Sequence, residues 1–425
     1  MWMSVRPRAA AVFLMTVFLL AAAKLCAQEA VLEDWIEEAL RNNPEIRASQ
    51  SGVEAAKYRI PQARALADPM FGVGYQNEGF TRYTYGEMEG AQWMFSASQS
   101  LPFPGKRSLK EEMTEKDAQS LEAQHEALRL KTALRVRELY FDLFFQHKGL
   151  ALLQGKRALL SSIEDLALGR YAAGKAMQQE VLMAQTEKYM LLEKEEMIRQ
   201  KILSLEALVA SVLGRREPGS VGVPALRPPQ GLEADREDLI GMAVERSPEV
   251  RARGRMIEAA DARLRMAGKE YYPDFLVGAN YFNRSGDFQD MWSATIGINI
   301  PIFYKSKQDM AVLEAKAGLN RAKQEADSLK LMIAAAIRDN FSMIRAAEKL
   351  MELYRSGLIP KNTQDLELAL SGYRTGSADA STAVARLKGL LDYETLYWSQ
   401  YAEREKAVAR IRAISGEAEQ ERGGK

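Results

Sequence analysis

The sequence predicts a mainly α-helical chain with a small β part suited to a membrane, and three observations predict it. The chain is written twice, each copy holds a helical stretch too long for a compact domain, and each copy carries short runs in which apolar and polar residues alternate. Bulk charge contributes little: 58 Lys+Arg stand against 57 Asp+Glu among 425 residues, so a net charge of +1 offers no field for nucleic acid or anionic lipid. Function must therefore come from shape.

Met1 to Ala23 opens with Arg6 and Arg8, runs apolar from Ala9, and approaches Leu25-Cys26-Ala27, where Ala27 suits the position before a signal-peptidase cut. Residues 1–27 are expected to be a removable export signal, with the cut near Gln28. As an uncleaved anchor the run is too short, about 15 apolar residues against the roughly 20 that span a bilayer. Cys26 is the only cysteine, and Lys24 stands where a lipoprotein signal carries a small residue, which disfavours lipidation at Cys26. A chain cut after Ala27 has no cysteine, hence no disulfide and no thiolate metal site. No later stretch reaches 18 apolar residues, so any membrane contact must use strands.

The repeat appears when the chain is slid on itself. A shift of 204 positions brings Glu33-Asp34 onto Glu237-Asp238, Pro44-Glu45 onto Pro248-Glu249 and Glu54-Ala55-Ala56 onto Glu258-Ala259-Ala260. A shift of 199 brings Trp93 onto Trp292 and Pro102 onto Pro301; one of 202 brings Tyr171 and Gly174 onto Tyr373 and Gly376. One plan is thus written over 28–215 and again over 236–416, joined by a Pro/Gly-rich connector, 216–235, and followed by a polar tail, 417–425. Each copy is expected to run as a helix (about Leu32–Leu66 and Arg236–Lys269), a β-hairpin (about 69–102 and 273–301) and a long helical hairpin with its tip near 171–176 or 373–378.

From about Leu109 to Leu168 there is no proline, and at 1.5 Å per residue roughly 60 helical residues make a rod of about 90 Å. Ala315, Leu319, Ala322, Ala326, Leu329, Ile333 and Ala336 alternate steps of four and three, and Ile337, Phe341, Ile344, Ala347, Met351, Tyr354 and Leu358 resume the seam after a one-residue shift. The long helices should therefore pack as coiled coils.

In Trp292–Ile300 the even positions are apolar and the odd ones small or polar, the pattern of a membrane β-strand of about 9 to 11 residues. Trp93 and Phe95 repeat it, Phe275 and Val277 less cleanly, and Met70 to Asn77 most weakly. The expected lipid-facing residues are Trp93, Phe95, Phe275, Val277, Trp292, Ile296 and Ile298. Four strands close no barrel, and an open edge in lipid leaves backbone groups unpaired. The chain must oligomerise: two copies give eight strands and three give twelve, and the arithmetic does not choose.

The twofold repeat, the exit Leu101-Pro102-Phe103-Pro104-Gly105-Lys106, its counterpart Ile300-Pro301-Ile302-Phe303 and the two Tyr-x-x-Gly turns resemble the outer-membrane efflux (TolC-like) family over essentially the whole mature chain. The resemblance implies a homotrimer with a twelve-strand barrel in outer-membrane lipid and a periplasmic helical tunnel, acting as the exit duct of a tripartite efflux or type I secretion system. It implies two further partners, a periplasmic adaptor and an inner-membrane pump. Tyr171, Gly174, Tyr373 and Gly376 become the adaptor-docking tip, and Glu180 and Asp379 a candidate tunnel constriction. In the second copy Thr382 and Ala385 stand where the family often carries acids. Phe103-Pro104-Gly105-Lys106 is similar to segments of the heavy-metal efflux branch, yet the 19 methionines are scattered as packing residues are, so cargo stays open.

Catalysis finds no support in the sequence. His125 and His147 are the only histidines, both in helical stretches, with no nucleophile motif, phosphate loop or zinc spacing, and no cofactor or nucleic acid is expected. The alternative class is a periplasmic coiled-coil adaptor or scaffold without a barrel, against which the strict strand from Trp292 stands.

Overall fold

The computed structural model describes residues 29–217, 221–229, 231–232 and 235–416. The expected signal, Cys26 and the tail 417–425 lie outside the described residues. In the first copy β1 (Glu29–Ala30) leads into α1 (Leu32–Asn42), α2 (Pro44–Arg64), β2 (Met70–Gln76), β3 (Gln92–Leu101), α3 (Lys106–Ala172) and α4 (Gln178–Leu213). After β4 (Val223–Pro224) the second copy holds α5 (Arg236–Arg246), α6 (Pro248–Lys269), β5 (Phe275–Asn283), β6 (Met291–Ile298) and α7 (Gln308–Glu352). A π-helical turn (Leu353–Leu358), α8 (Ile359–Thr375) and α9 (Ala380–Ser415) complete it. The return helices α4 and α9 have the same length, 36 residues, and each ends on a left-handed glycine, Gly214 or Gly416.

Three expectations are corrected. The opening helix of each copy is broken, at Asn43 and at Ser247, because each precedes a proline whose ring pushes its neighbour out of the helical region (ψ 123° and 126°). The second long helix is not continuous either: the π turn interrupts it just ahead of Pro360. The strand expected to reach Ile300 ends at Ile298.

The chain forms two compact units that cut across the repeats, each taking corresponding pieces of both copies. One comprises Ala48–Ala127 and Glu245–Met332. It contains an antiparallel sheet in the order β2-β3-β5-β6, so within one chain β2 and β6 are open edges. Register assigns the faces, because residues directly opposite each other share one. Val73, Phe95 and Tyr281 are paired in a row, as are Phe71, Ala97, Ala279 and Ala294, and Val277 pairs with Gln99 and Ile296. All seven expected lipid-facing residues fall on this one face, together with Tyr281 and with Phe71, Val73 and Tyr75 of the weakest run; Gln99 and Asn283 are its polar exceptions. The opposite face carries Gly72, Gly74, Ser96, Ser98, Asn280, Ser293 and Thr295, with Met70, Met94, Leu276, Phe282 and Met291 as its larger apolar residues.

Where the sheet passes into helices, the Pro-Phe-Pro-Gly-Lys exit acts structurally. Gly105 turns at φ 93°, and the buried Lys106 ammonium donates to Asp274 (2.9 Å) and to the Tyr272 carbonyl (3.1 Å). The Phe103 amide donates to the same Asp274 (2.8 Å), and the Phe103 ring stacks on Tyr272 at 4.5 Å. The two copies are thereby tied at the foot of the sheet.

The other unit holds, among the described residues, those of 29–47, 128–244 and 333–416. Trp35 and Ala39 of α1 pack on Tyr140, Phe141 and Phe144 of α3, Leu213 of α4 and Tyr401 of α9. Burying each large aromatic or aliphatic side chain stabilises by about 1.5–3 kcal/mol. The connector lies against this core: Tyr140 donates its hydroxyl to the Ala225 carbonyl (3.0 Å) and Tyr401 to the Arg227 carbonyl (2.6 Å). Arg215 grips Glu38 with two bonds of 2.7 Å, holding that carboxyl below its ordinary range. Gly214 closes α4 at φ 76°, and a Cβ there would meet the Asn42 carbonyl oxygen at 2.6 Å. Gly214→Ala is therefore expected to lower stability by about 1–3 kcal/mol, read as a fall in the thermal midpoint of the purified protein.

Candidate functional site

The tip of the helical hairpins, all within the second unit, concentrates the unusual chemistry. Helix α3 and helix α8 each end in a closing turn built on a positive-φ glycine, Gly174 (67°) and Gly376 (87°). Lys175 N donates to the Arg170 carbonyl (2.8 Å), and Ser377 N to the Gly372 carbonyl (2.9 Å), so both tips close their last helical carbonyls alike.

The tyrosines of the two turns do not behave alike. Tyr171 is 48% exposed and Tyr373 is fully buried. Over Tyr373 lies Arg170: its guanidinium sits 4.8 Å from the ring centroid, donates through Nη1 to the Tyr373 carbonyl (2.6 Å), and reaches the Lys175 carbonyl with Nη2 (3.4 Å). Around it Ile163, Ala167, Val181, Ala184, Leu366 and Ala383 form an apolar cluster. Glu180, in the first turn of α4, keeps one carboxylate oxygen buried with no hydrogen bond of ordinary geometry, and the Tyr373 hydroxyl is buried in the same condition. Burial first, then the Glu180 charge, push the Tyr373 phenol above its usual range against the pull of Arg170, so it stays a neutral hydroxyl.

Asp379 plays a different part. As N-cap of α9 its Oδ1 accepts from Thr382 N (2.9 Å), Thr382 Oγ1 (2.6 Å) and Ser381 Oγ (2.9 Å), and these bonds depress its pKa. The two acidic residues therefore differ in position as well as surroundings: Glu180 lies in the first turn of α4, whereas Asp379 caps α9 at the place that Met177 holds before α4. Sequence reasoning missed Arg170 altogether. Its only signal was adjacency to Tyr171, which nothing separates from an ordinary cation on a solvated helix face.

The second candidate surface is the apolar sheet face. Its aromatic residues cluster: Tyr75 lies 5.1 Å from Trp93 and stacks on Tyr83 at 4.9 Å, while Phe95 lies 6.2 Å from Tyr281. Among the described residues no helix is long and apolar enough to cross a membrane, which says nothing against strands doing so.

By structure the chain is similar to VceC, an outer membrane protein of Vibrio cholerae (17% identity, 92% of this chain and 97% of that one, TM-score 0.77). It is also similar to a membrane protein of Pseudomonas aeruginosa (16%, 91% and 93%, 0.79) and to the outer-membrane channel OprN (16%, 91% and 89%, 0.75). At these identities the likeness is one of fold. No curated protein matches by sequence. The profile of the family described as outer membrane efflux protein matches residues 35–215 and 239–416, so that both copies are covered, and the chain belongs to that family.

Proposed function

We propose that the chain is one protomer of an outer-membrane exit duct in which three copies join their sheets into a twelve-strand barrel. The observation that carries this is the four-stranded sheet: one face carries apolar side chains on every strand, the other gathers the small and polar residues with Met70, Met94, Leu276, Phe282 and Met291 among them, and both edges are open. Open edges in hydrocarbon cost several kcal/mol per unpaired backbone group, so the edge strands β2 and β6 need partners from sister chains. The duct lies in the outer membrane, continues into a periplasmic helical tunnel, uses no cofactor, and passes cargo delivered by an inner-membrane pump through a periplasmic adaptor. The purified protein in detergent is expected to sediment as a trimer and to open steady single-channel conductance in planar bilayers; a monomer that stays dissolved without detergent defeats the reading.

The tip formed by Tyr171, Gly174, Tyr373 and Gly376 docks the adaptor. Contact falls on the exposed Tyr171 and the two glycine turns, while Tyr373, buried under Arg170, supports them from within. Arg170, Tyr373 and Glu180 form a latch that keeps the tip closed at rest, and Glu180 and Asp379 are the acidic residues of the constriction. Gly174→Glu places a charged side chain at a left-handed position with open space around it. Export is expected to be abolished while trimers persist on native gels, and unchanged export counts against docking at this turn.

A further inference from the structure

The π turn Leu353–Leu358 has no counterpart in the first copy, where the corresponding residues 151–156 lie inside the uninterrupted α3. Its mark is the Ile359 amide donating to the Tyr354 carbonyl, a spacing of five residues where an α-helix has four. Pro360 accounts for the place, since it has no amide and its ring crowds the carbonyl four residues back. Polar side chains answer nearby carbonyls: Ser356 Oγ donates to Glu352 O (2.7 Å) and Asn362 Nδ2 to Leu358 O (2.9 Å). No residue of the turn is buried.

Such a turn absorbs one residue, so the helix beyond it is rotated by about 100° relative to an uninterrupted helix of the same count. The rotation is legible at the tip, because the distance in sequence from Lys106 to Tyr171 equals that from Gln308 to Tyr373. In the first copy Ile163, Leu166 and Ala167 pack inward and Tyr171 points out. Their counterparts are Asp365, Leu368 and Ala369, yet the inward residues of α8 are Leu366, Ala369, Leu370 and Tyr373, a set advanced by one position. Leu368, which the unadvanced phase would bury, is 72% exposed. The unadvanced register would turn Leu368 inward beside the shared Ala369 and would bring Asp365, here paired with Arg386 at 3.0 Å, to the place that Ile163 holds in the first copy.

We propose that the π turn is a register switch for the tip, an inference that rests on the latch reading of Arg170 and Tyr373. In the π form Tyr373 lies under Arg170. Relaxation of the turn to α-helical winding rotates α8 by one residue, buries Leu368 and carries Tyr373 out of the latch, and that rotation opens the tip. Two discrete packings of one helix are the kind of bistable element such switching requires.

Two variants drive the switch in opposite directions. Deleting Ser356 removes the residue that the wide turn absorbs, so an α-helical turn then holds Tyr373 inward and no second register remains. Gly357→Ala with Pro360→Ala favours α winding at unchanged length. Each is examined as trimer in planar bilayers and, with Leu368→Cys as reporter, by alkylation rate. The deletion is expected to keep resting conductance and reporter reactivity while abolishing export. The double variant is expected to raise conductance several-fold and to slow alkylation by about ten-fold or more. Fast alkylation in the assembled double variant, or export retained by the deletion, overturns the switch. If the double variant does not assemble, Pro360→Ala alone carries the same test. Failure of the latch itself is read separately, as unchanged conductance in Arg170→Ala.

Discussion

Arg170→Ala is expected to raise the resting conductance of the reconstituted trimer several-fold without dispersing it. The guanidinium makes a charge-assisted bond to the Tyr373 carbonyl and lies over its ring, and Tyr373 sits in turn beside the buried oxygen of Glu180. A charge-assisted bond and a partly exposed cation–π contact contribute about 2 kcal/mol together, which at roughly ten-fold per 1.4 kcal/mol shifts the closed-to-open balance of each chain some 30-fold. Alanine also leaves the Glu180 charge facing a buried phenol with no cation to offset it. Arg170→Lys is expected to fall between wild type and alanine, since an ammonium keeps the charge but neither forks to two carbonyls nor stacks as a plane. Assembly rests elsewhere, on the sheet edges and on the separate core around Trp35, Tyr140 and Phe144, so trimers should survive on native gels. Equal conductance in wild type and Arg170→Ala would remove the latch from the mechanism.

How far the sequence disclosed this arrangement follows from the range of each interaction. Strand faces are set by a period of two within a handful of residues, so Trp292, Ile296 and Ile298 declared their side before any coordinates did. Phe71 and Val73, on the same face at the other edge of the sheet, did not, because glycines at 72 and 74 blur the contrast that alternation needs. The positions of Pro44 and Pro248 were visible, but breaking the opening helices depended on weighing the steric rule above the apolar periodicity running through them. Pro360 was equally visible and gave a wide turn instead of a break, since the helix could continue on both sides once Ser356 and Asn362 answered its loosened carbonyls. The latch was beyond reach. It joins Arg170, Glu180 and Tyr373 across two hairpins far apart in sequence, and the identical Tyr-x-x-Gly spelling of both turns argued for an equivalence that the π turn removes.

The sheet makes the second large prediction, a contrast between neighbours. Ile296→Lys is expected to prevent recovery of trimers from the outer-membrane fraction, whereas Thr295→Lys, one residue away, leaves assembly close to wild type. Ile296 pairs with Val277 on the apolar face and Thr295 with Gly278 on the polar one, so the two ammonium groups emerge on opposite sides of the same strand. On the lipid side a lysine costs about 2–4 kcal/mol near the bilayer midplane, and threefold symmetry triples it, to a total comparable with the whole folding stability of a small domain. On the other side the ammonium meets water and small neighbours. A barrel-free scaffold gives no reason for the two to differ, because both faces of its sheet would be wetted or packed without regard to lipid. Equal recovery of the two variants would therefore discard the membrane barrel together with the trimer built on it.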